Sequence, residues 1–185
     1  IDISKVMLDV ARRRAAEAGL AQLSFEQADA SNAALPQGAD LIFSRFGVMF
    51  FAAPVPAFAH MRQALKDSGR LVFVCWQAAR DNPWASVPVI AGRQAVGLTQ
   101  QSQDPHAPGP FAFADETRVR ATLLEANFRD VEAEAREHPM LLGSTARSAA
   151  EATVRMGPVS RVVREAGPES ATRIIDAIEK ALEPL

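Results

Sequence analysis

Three short stretches put side chains able to do chemistry where an apolar run breaks off. The chain opens "IDISKVM", so Asp2 follows an apolar residue and precedes Ser4, a helix-capping residue. A carboxylate between a strand and a helix can accept both hydroxyls of a nucleotide ribose. It can also be a helix-start carboxylate favoured by the helix dipole. "FEQADASNA" offers a second acid, Asp29, followed by Ala30. On residue types alone this is a solvated turn. "LIFSRFGVMFF" ends an apolar run abruptly in Ser44 and Arg45, with Phe46 next. Met49 and Phe50 beyond them suit either a core or a substrate pocket. Trp76 and Trp84 flank the exit of the last clear strand, where an open α/β sheet binds its ligands.

Other chemistry is sparse. His60, His106 and His138 are widely spaced and show no metal-ligand pattern, so no metal site is expected. There is no G-x-S-x-G elbow and no supported Cys–His pair. His106 is a weak candidate for a general base.

These residues need elements to position them. Ser4 can cap a helix in which Met7, Val10, Ala11, Ala15 and Ala18 recur at helical spacing, closed by Gly19 and Leu20. "LSFEQADA" alternates as a strand ending near Asp29. "LIFSRF" reads as a second strand. Pro54 and Pro56 start a helix with Phe58, Met61 and Leu65 inward, ended by "KDSGR". "RLVFVCW" is a continuous apolar run of the kind buried on both faces of a parallel sheet. Residues 77–110 are proline-rich and irregular, with a short helix over Val87–Val96, and suit a lid or substrate loop. A helix begins after Asp115 and ends at Asn127, with Val119, Leu123 and Ala126 inward. "RDVEAEAREHPMLL" reads as a further strand. Residues 145–185 read as a helical insertion, with one helix over Ser148–Glu165 broken near Gly157–Pro158 and another over Glu169–Leu182.

The 185 residues suffice for one sizeable domain, and the chain is expected to form a single partial domain over 1–185. A net charge of −2 without a basic run argues against nucleic acid as partner. No apolar stretch reaches the length of a membrane span. The single cysteine, Cys75, reads as a small core residue and fits a cytoplasmic location.

Together, "DIS..ML..AR.RA", "F.QADA....LP.G.DLIFSRFGVMFF" and "F..M...LK..GRLVFVCW" resemble the Rossmann-like S-adenosylmethionine-dependent methyltransferases, notably the ubiquinone/menaquinone-biosynthesis type and its small-molecule relatives. Residues 2–84 carry the resemblance, and "PGPFAFAD" and "LLEANFRDV" extend it to about residue 132. It implies an α/β fold: a doubly wound, mostly parallel sheet with helices on both faces. It implies S-adenosylmethionine as cofactor, S-adenosylhomocysteine as product and a small-molecule acceptor. By that resemblance Asp2 binds the ribose and Ile3 packs on adenine. Asp29 and the Ala30 backbone N–H meet the adenine edge, and Ser44, Arg45 and Phe46 line the cofactor. Met49, Phe50, Trp76 and Trp84 are the substrate candidates. Arg45 departs from the family pattern, standing where relatives usually carry serine.

The resemblance also implies that the chain is truncated at both ends, lacking the glycine-rich turn and the last strand. A missing central strand would leave buried ladder edges unpaired, at roughly 1–3 kcal/mol per group, so the full sheet is not expected unless a second chain, as in a homodimer, supplies a strand. Two other readings stand beside methyl transfer. Asp2 would suit NAD in an oxidoreductase, and the absent glycine-rich turn suits a non-catalytic interaction module.

Overall fold

In the computed structural model, residues 1–99 and 104–183 are described. Parts of the 77–110 loop and of the 145–185 segment fall outside them. Among the described residues, seven α-helices and a parallel sheet form two compact units. The first comprises 1–74 and 117–132, the second 75–116 and 133–185.

In the first unit, α1 (Lys5–Glu17) forms where the sequence marks it. The Ser4 hydroxyl accepts the Met7 N–H at 3.3 Å. At the other end Gly19 takes φ +67°, and the Leu20 N–H reaches back to the Ala15 carbonyl at 2.9 Å. The buried face is narrower than the spacing suggests: Leu8 and Ala15 are buried, whereas Met7 is exposed.

The strand expected to end near Asp29 shrinks to one parallel bridge, Asp2 to Gln27. The Asp2 N–H donates to the Glu26 carbonyl (3.2 Å), and the Ala28 N–H to the Asp2 carbonyl (3.1 Å). The sheet itself consists of β1 (Ala39–Arg45) and β2 (Leu65–Val74), paired in parallel. No ladder among the described residues joins the bridge to this sheet.

Between them α2 (Pro54–Ala64) starts on its prolines and buries Phe58 and Met61. Phe58 stacks on Phe73 of β2 with ring centroids 5.6 Å apart and meets Phe51 edge-on at 5.8 Å. "KDSGR" is not a loop after the helix. β2 begins at Leu65, and its pairing jumps from Leu65 opposite Ala39 to Arg70 opposite Leu41. The extra residues bulge out, and the Lys66 ammonium holds Asp40 of β1 at 2.7 Å. Only glycine fits at 69, where a Cβ would stand 2.7 Å from the Ala39 carbonyl oxygen. The sheet face bearing Leu41, Phe43, Val72 and Val74 is exposed. The continuous apolar run led one to expect burial on both faces, and β2 is instead covered on one face only, because no element among the described residues packs on the other.

Helix α4 (Glu116–Glu125) buries Val119 and Leu123, followed by Ala126. Asn127, at φ +65°, closes it as expected, with the Phe128 N–H bonded to the Leu123 carbonyl at 3.0 Å. Beyond it, "RDVEAEAREHPMLL" forms no strand. Its alternation sets only Val131, Ala133 and Ala135 against charged residues, and no strand among the described residues pairs with it.

The second unit is helical. α3 (Pro83–Ala95) begins four residues before the expected Val87, with Pro83 in its first turn. α5 (Ala146–Thr153) opens on a capping box made by Thr145 and Ser148. α6 (Gly157–Ala166) starts at the expected break, and α7 (Ala171–Leu182) follows a short 3₁₀ turn. Ala150, Val159, Val162, Ile174 and Ile178 form the core. Gly92 lets α3 approach closely, since a Cβ there would lie 3.2 Å from Ile174 Cγ2. Arg147 of α5 bonds Asp176 at 2.5 Å and Glu179 at 3.1 Å on α7, which holds its guanidinium above its ordinary pKa. Arg93 of α3 pairs with Glu165 of α6 at 2.9 Å.

Phe58 is fully buried. Phe58→Ala is expected to cost the first unit about 3–5 kcal/mol, measured by hydrogen exchange of the β1 and β2 amides, with the α7 amides unchanged. A loss below about 1 kcal/mol would contradict the packing described.

Candidate functional site

Parallel pairing brings carboxyl ends together. At the bridge Asp2 pairs with Gln27, so Asp29 stands two residues along from Asp2's partner. Asp2 and Asp29 therefore stand at the same end of two bonded segments. Each carboxylate is braced alike. Asp2 Oδ1 accepts the Ser4 N–H at 2.7 Å, and Asp29 Oδ1 accepts the Ser31 N–H at 2.8 Å. The side-chain and backbone bonds from Ser31 hold the Asp29 carboxyl below the usual range, so it is ionised at neutral pH. Both residues are exposed.

Ile3 is 71% exposed, an apolar surface beside the Asp2 carboxylate, and its carbonyl accepts from the Gln27 amide at 3.2 Å. Ala30 is half-buried in the turn after Asp29. That turn is tied to α2, because His60 Nε2 lies 2.7 Å from the Ala33 carbonyl oxygen. His60, without a metal-ligand pattern in the sequence, supplies this brace from within α2.

At the carboxyl end of β1, Ser44 lies opposite Phe73 and Arg45 opposite Val74. Ser44 is half-buried and Arg45 exposed. The Phe46 N–H donates to the Val74 carbonyl at 2.9 Å, and Phe46 sits at φ +57°. Left-handed backbone at a bulky aromatic costs of order 1–3 kcal/mol and persists where surroundings force it, often at ligand sites. Nothing in "SRFGV" announces this, because the neighbouring glycine, the residue suited to such a conformation, is ordinary at φ −109°.

The substrate candidates divide. Met49 is 1% exposed and belongs to the core, whereas Phe50 is 52% exposed. Trp76 and Trp84 lie in the second unit, ring centroids 4.7 Å apart. Buried Asn82 fixes Trp84. Its amide donates to the carbonyls of Gln77 (3.0 Å) and Ala78 (2.9 Å), and its Oδ1 accepts the Trp84 indole N–H at 3.1 Å. Trp84 lines a cavity of about 570 Å³ with His138, which the sequence offers only as a histidine without a metal-ligand pattern, and with Met140 and Leu141 among others. The signal was available in "HPMLL", an apolar cluster with no helix or strand to bury it.

Cys75 is half-buried, its thiol 3.6 Å from the Phe113 carbonyl oxygen, and burial pushes its pKa up. Among the described residues, no cluster of His, Cys, Asp or Glu could hold a metal ion, and no helix is long and apolar enough to cross a membrane.

A raised thiol pKa lowers the thiolate fraction, so at pH 8 native Cys75 should react with iodoacetamide at least about tenfold slower than in urea. Equal rates in the two states would contradict its burial.

Comparison with known proteins agrees with the arrangement of the first unit. Residues 1–73 match the family model described as "Methyltransferase domain". No curated protein matches the chain. The matched stretch holds α1, the Asp2–Gln27 bridge, β1, α2 and most of β2. The resemblance to the Rossmann-like methyltransferases is thus borne out over residues 1–73, where the α/β stretch with its parallel sheet is similar to a methyltransferase domain.

Proposed function

We propose that the first unit binds S-adenosylmethionine and that the protein transfers its methyl group to a small molecule. The observation that carries this reading is the placement of Asp2 and Asp29 at the same end of two parallel-bonded segments, within residues that match a methyltransferase domain.

The residues fit the cofactor chemically. A ribose offers two hydroxyl donors and an adenine one amino donor. Asp2 and Asp29 are acceptors, each already oriented by a backbone N–H group. Asp2 would hold the ribose hydroxyls, and Asp29 with the Ala30 N–H would hold the adenine edge. Ile3 supplies apolar surface for the ring. Ser44, Arg45 and the strained Phe46 would line the remainder. When bound, the sulfonium supplies an electrophilic methyl group, so the hard chemistry belongs to the cofactor. The protein's task is to orient the acceptor and exclude water, worth roughly 7–11 kcal/mol when the geometry is good. No nucleophilic side chain is required for that task. Phe50, Trp76 and Trp84 remain the substrate-contact candidates, and a cytoplasmic enzyme, monomeric or homodimeric, is the setting proposed.

Calorimetric titration with S-adenosylhomocysteine tests the reading. Saturable binding is expected, weakened at least about tenfold (1.4 kcal/mol) by Asp2→Asn. That variant keeps an oxygen for the Ser4 N–H but replaces one acceptor by a donor. No heat at millimolar ligand overturns the reading. Displacement by NADH at equal affinity would favour the oxidoreductase instead.

A further inference from the structure

The second unit contains a cavity that lies outside the residues matched to the methyltransferase domain. We propose that it is a binding site for an uncharged aromatic molecule carrying a hydroxyl group. The proposal goes beyond the methyl-transfer reading and does not depend on it.

Its volume, about 570 Å³, falls within the range of small-molecule sites, roughly 300–1,000 Å³. One wall is Trp84, at the start of α3. This ring is not a loose surface aromatic. Asn82 is 8% exposed and spends both ends of its amide on the site: its nitrogen grips two backbone carbonyls, and its oxygen holds the Trp84 N–H. Trp76 backs the ring from the side. A large aromatic held in one orientation by a buried amide offers a flat apolar face at little entropic cost to a ligand.

A further part of the lining is the irregular segment leading into α5. Met140, Leu141 and Leu142 line the cavity from it, and Leu141 is 89% exposed. Leucine at that exposure, lining the same cavity as a fixed tryptophan, is unspent apolar surface. The segment is held close to α5 by Gly143, where a Cβ would stand 2.5 Å from the Ala149 backbone nitrogen. Its path is therefore set by the chain itself.

The polar groups choose among ligands. His138 and Glu183 also line the cavity, and among the described residues no lysine or arginine does. A carboxylate without a compensating cation disfavours an anion. An imidazole and a carboxylate suit a hydroxyl, which can donate to either. The flat aromatic wall and the leucines suit a ring, and the polar groups suit one hydroxyl upon it.

The chain has two tryptophans, so an ¹⁵N correlation spectrum of the full chain shows two indole N–H signals, assigned by Trp76→Phe. Titration with 2-naphthol is expected to move the Trp84 signal saturably, with a dissociation constant below about 1 mM. Leu141→Glu changes an exposed residue and should raise that constant at least about tenfold. 2-Naphthoate should bind at least about tenfold more weakly than 2-naphthol, and Glu183→Gln should narrow that gap. A shift linear in concentration, an unaltered constant in Leu141→Glu, or equal binding of 2-naphthoate would each overturn the proposal. A protein that binds S-adenosylhomocysteine but not 2-naphthol overturns this inference alone.

Discussion

Parallel pairing is the constraint on which the first unit depends. Two segments bonded in parallel must finish at the same end, whatever their side chains. The Asp2–Gln27 bridge consists of two backbone hydrogen bonds, yet it puts two carboxylates distant in sequence at the same end of bonded segments. The β1–β2 ladder does the same for Ser44, Arg45 and Phe46 against Val74. Helices fill the connections, because a parallel return needs a crossover. α1 and α2 supply it, and His60 of α2 reaches the turn that follows Asp29. The chemistry proposed for this unit is thus a consequence of strand direction first and of residue type second.

What was legible in the sequence is what local chemistry controls. Ser4 and Gly19 mark both ends of α1, and Asn127 closes α4, because caps act within a few residues. Gly157 and Pro158 mark the break before α6 for the same reason. The carboxylates could be read because a strand-to-helix junction is itself a local pattern. The misreadings share one cause. "LSFEQADA" alternates as a strand should, but a strand exists only where a partner offers a ladder, and only Gln27 finds one. "KDSGR" looks like a turn, and the pairing of Leu65 with Ala39 turns it into a bulge within β2. Phe46 is driven to positive φ by its place after β1, not by its own preference. Each outcome is set by a partner distant in sequence.

The second unit is governed differently. Its helices are joined by aliphatic packing around Ile174 and Ile178, with Gly92 permitting the approach of α3 and Arg147 tying α5 to α7. Helical spacing in 169–182 was sufficient to find the inward face of α7. The cavity beside Trp84 was not legible, because part of its wall is an irregular segment without periodicity. Apolar residues lacking both period and burial are the trace such a wall leaves in a sequence.

The central claim is that the strand ends of the first unit hold the methyl donor. Ultraviolet cross-linking of methyl-labelled S-adenosylmethionine to the full chain, followed by peptide mapping, tests it most directly. The account requires label on peptides within residues 1–46. Label confined to residues 133–183, or none above an unfolded control, would contradict it.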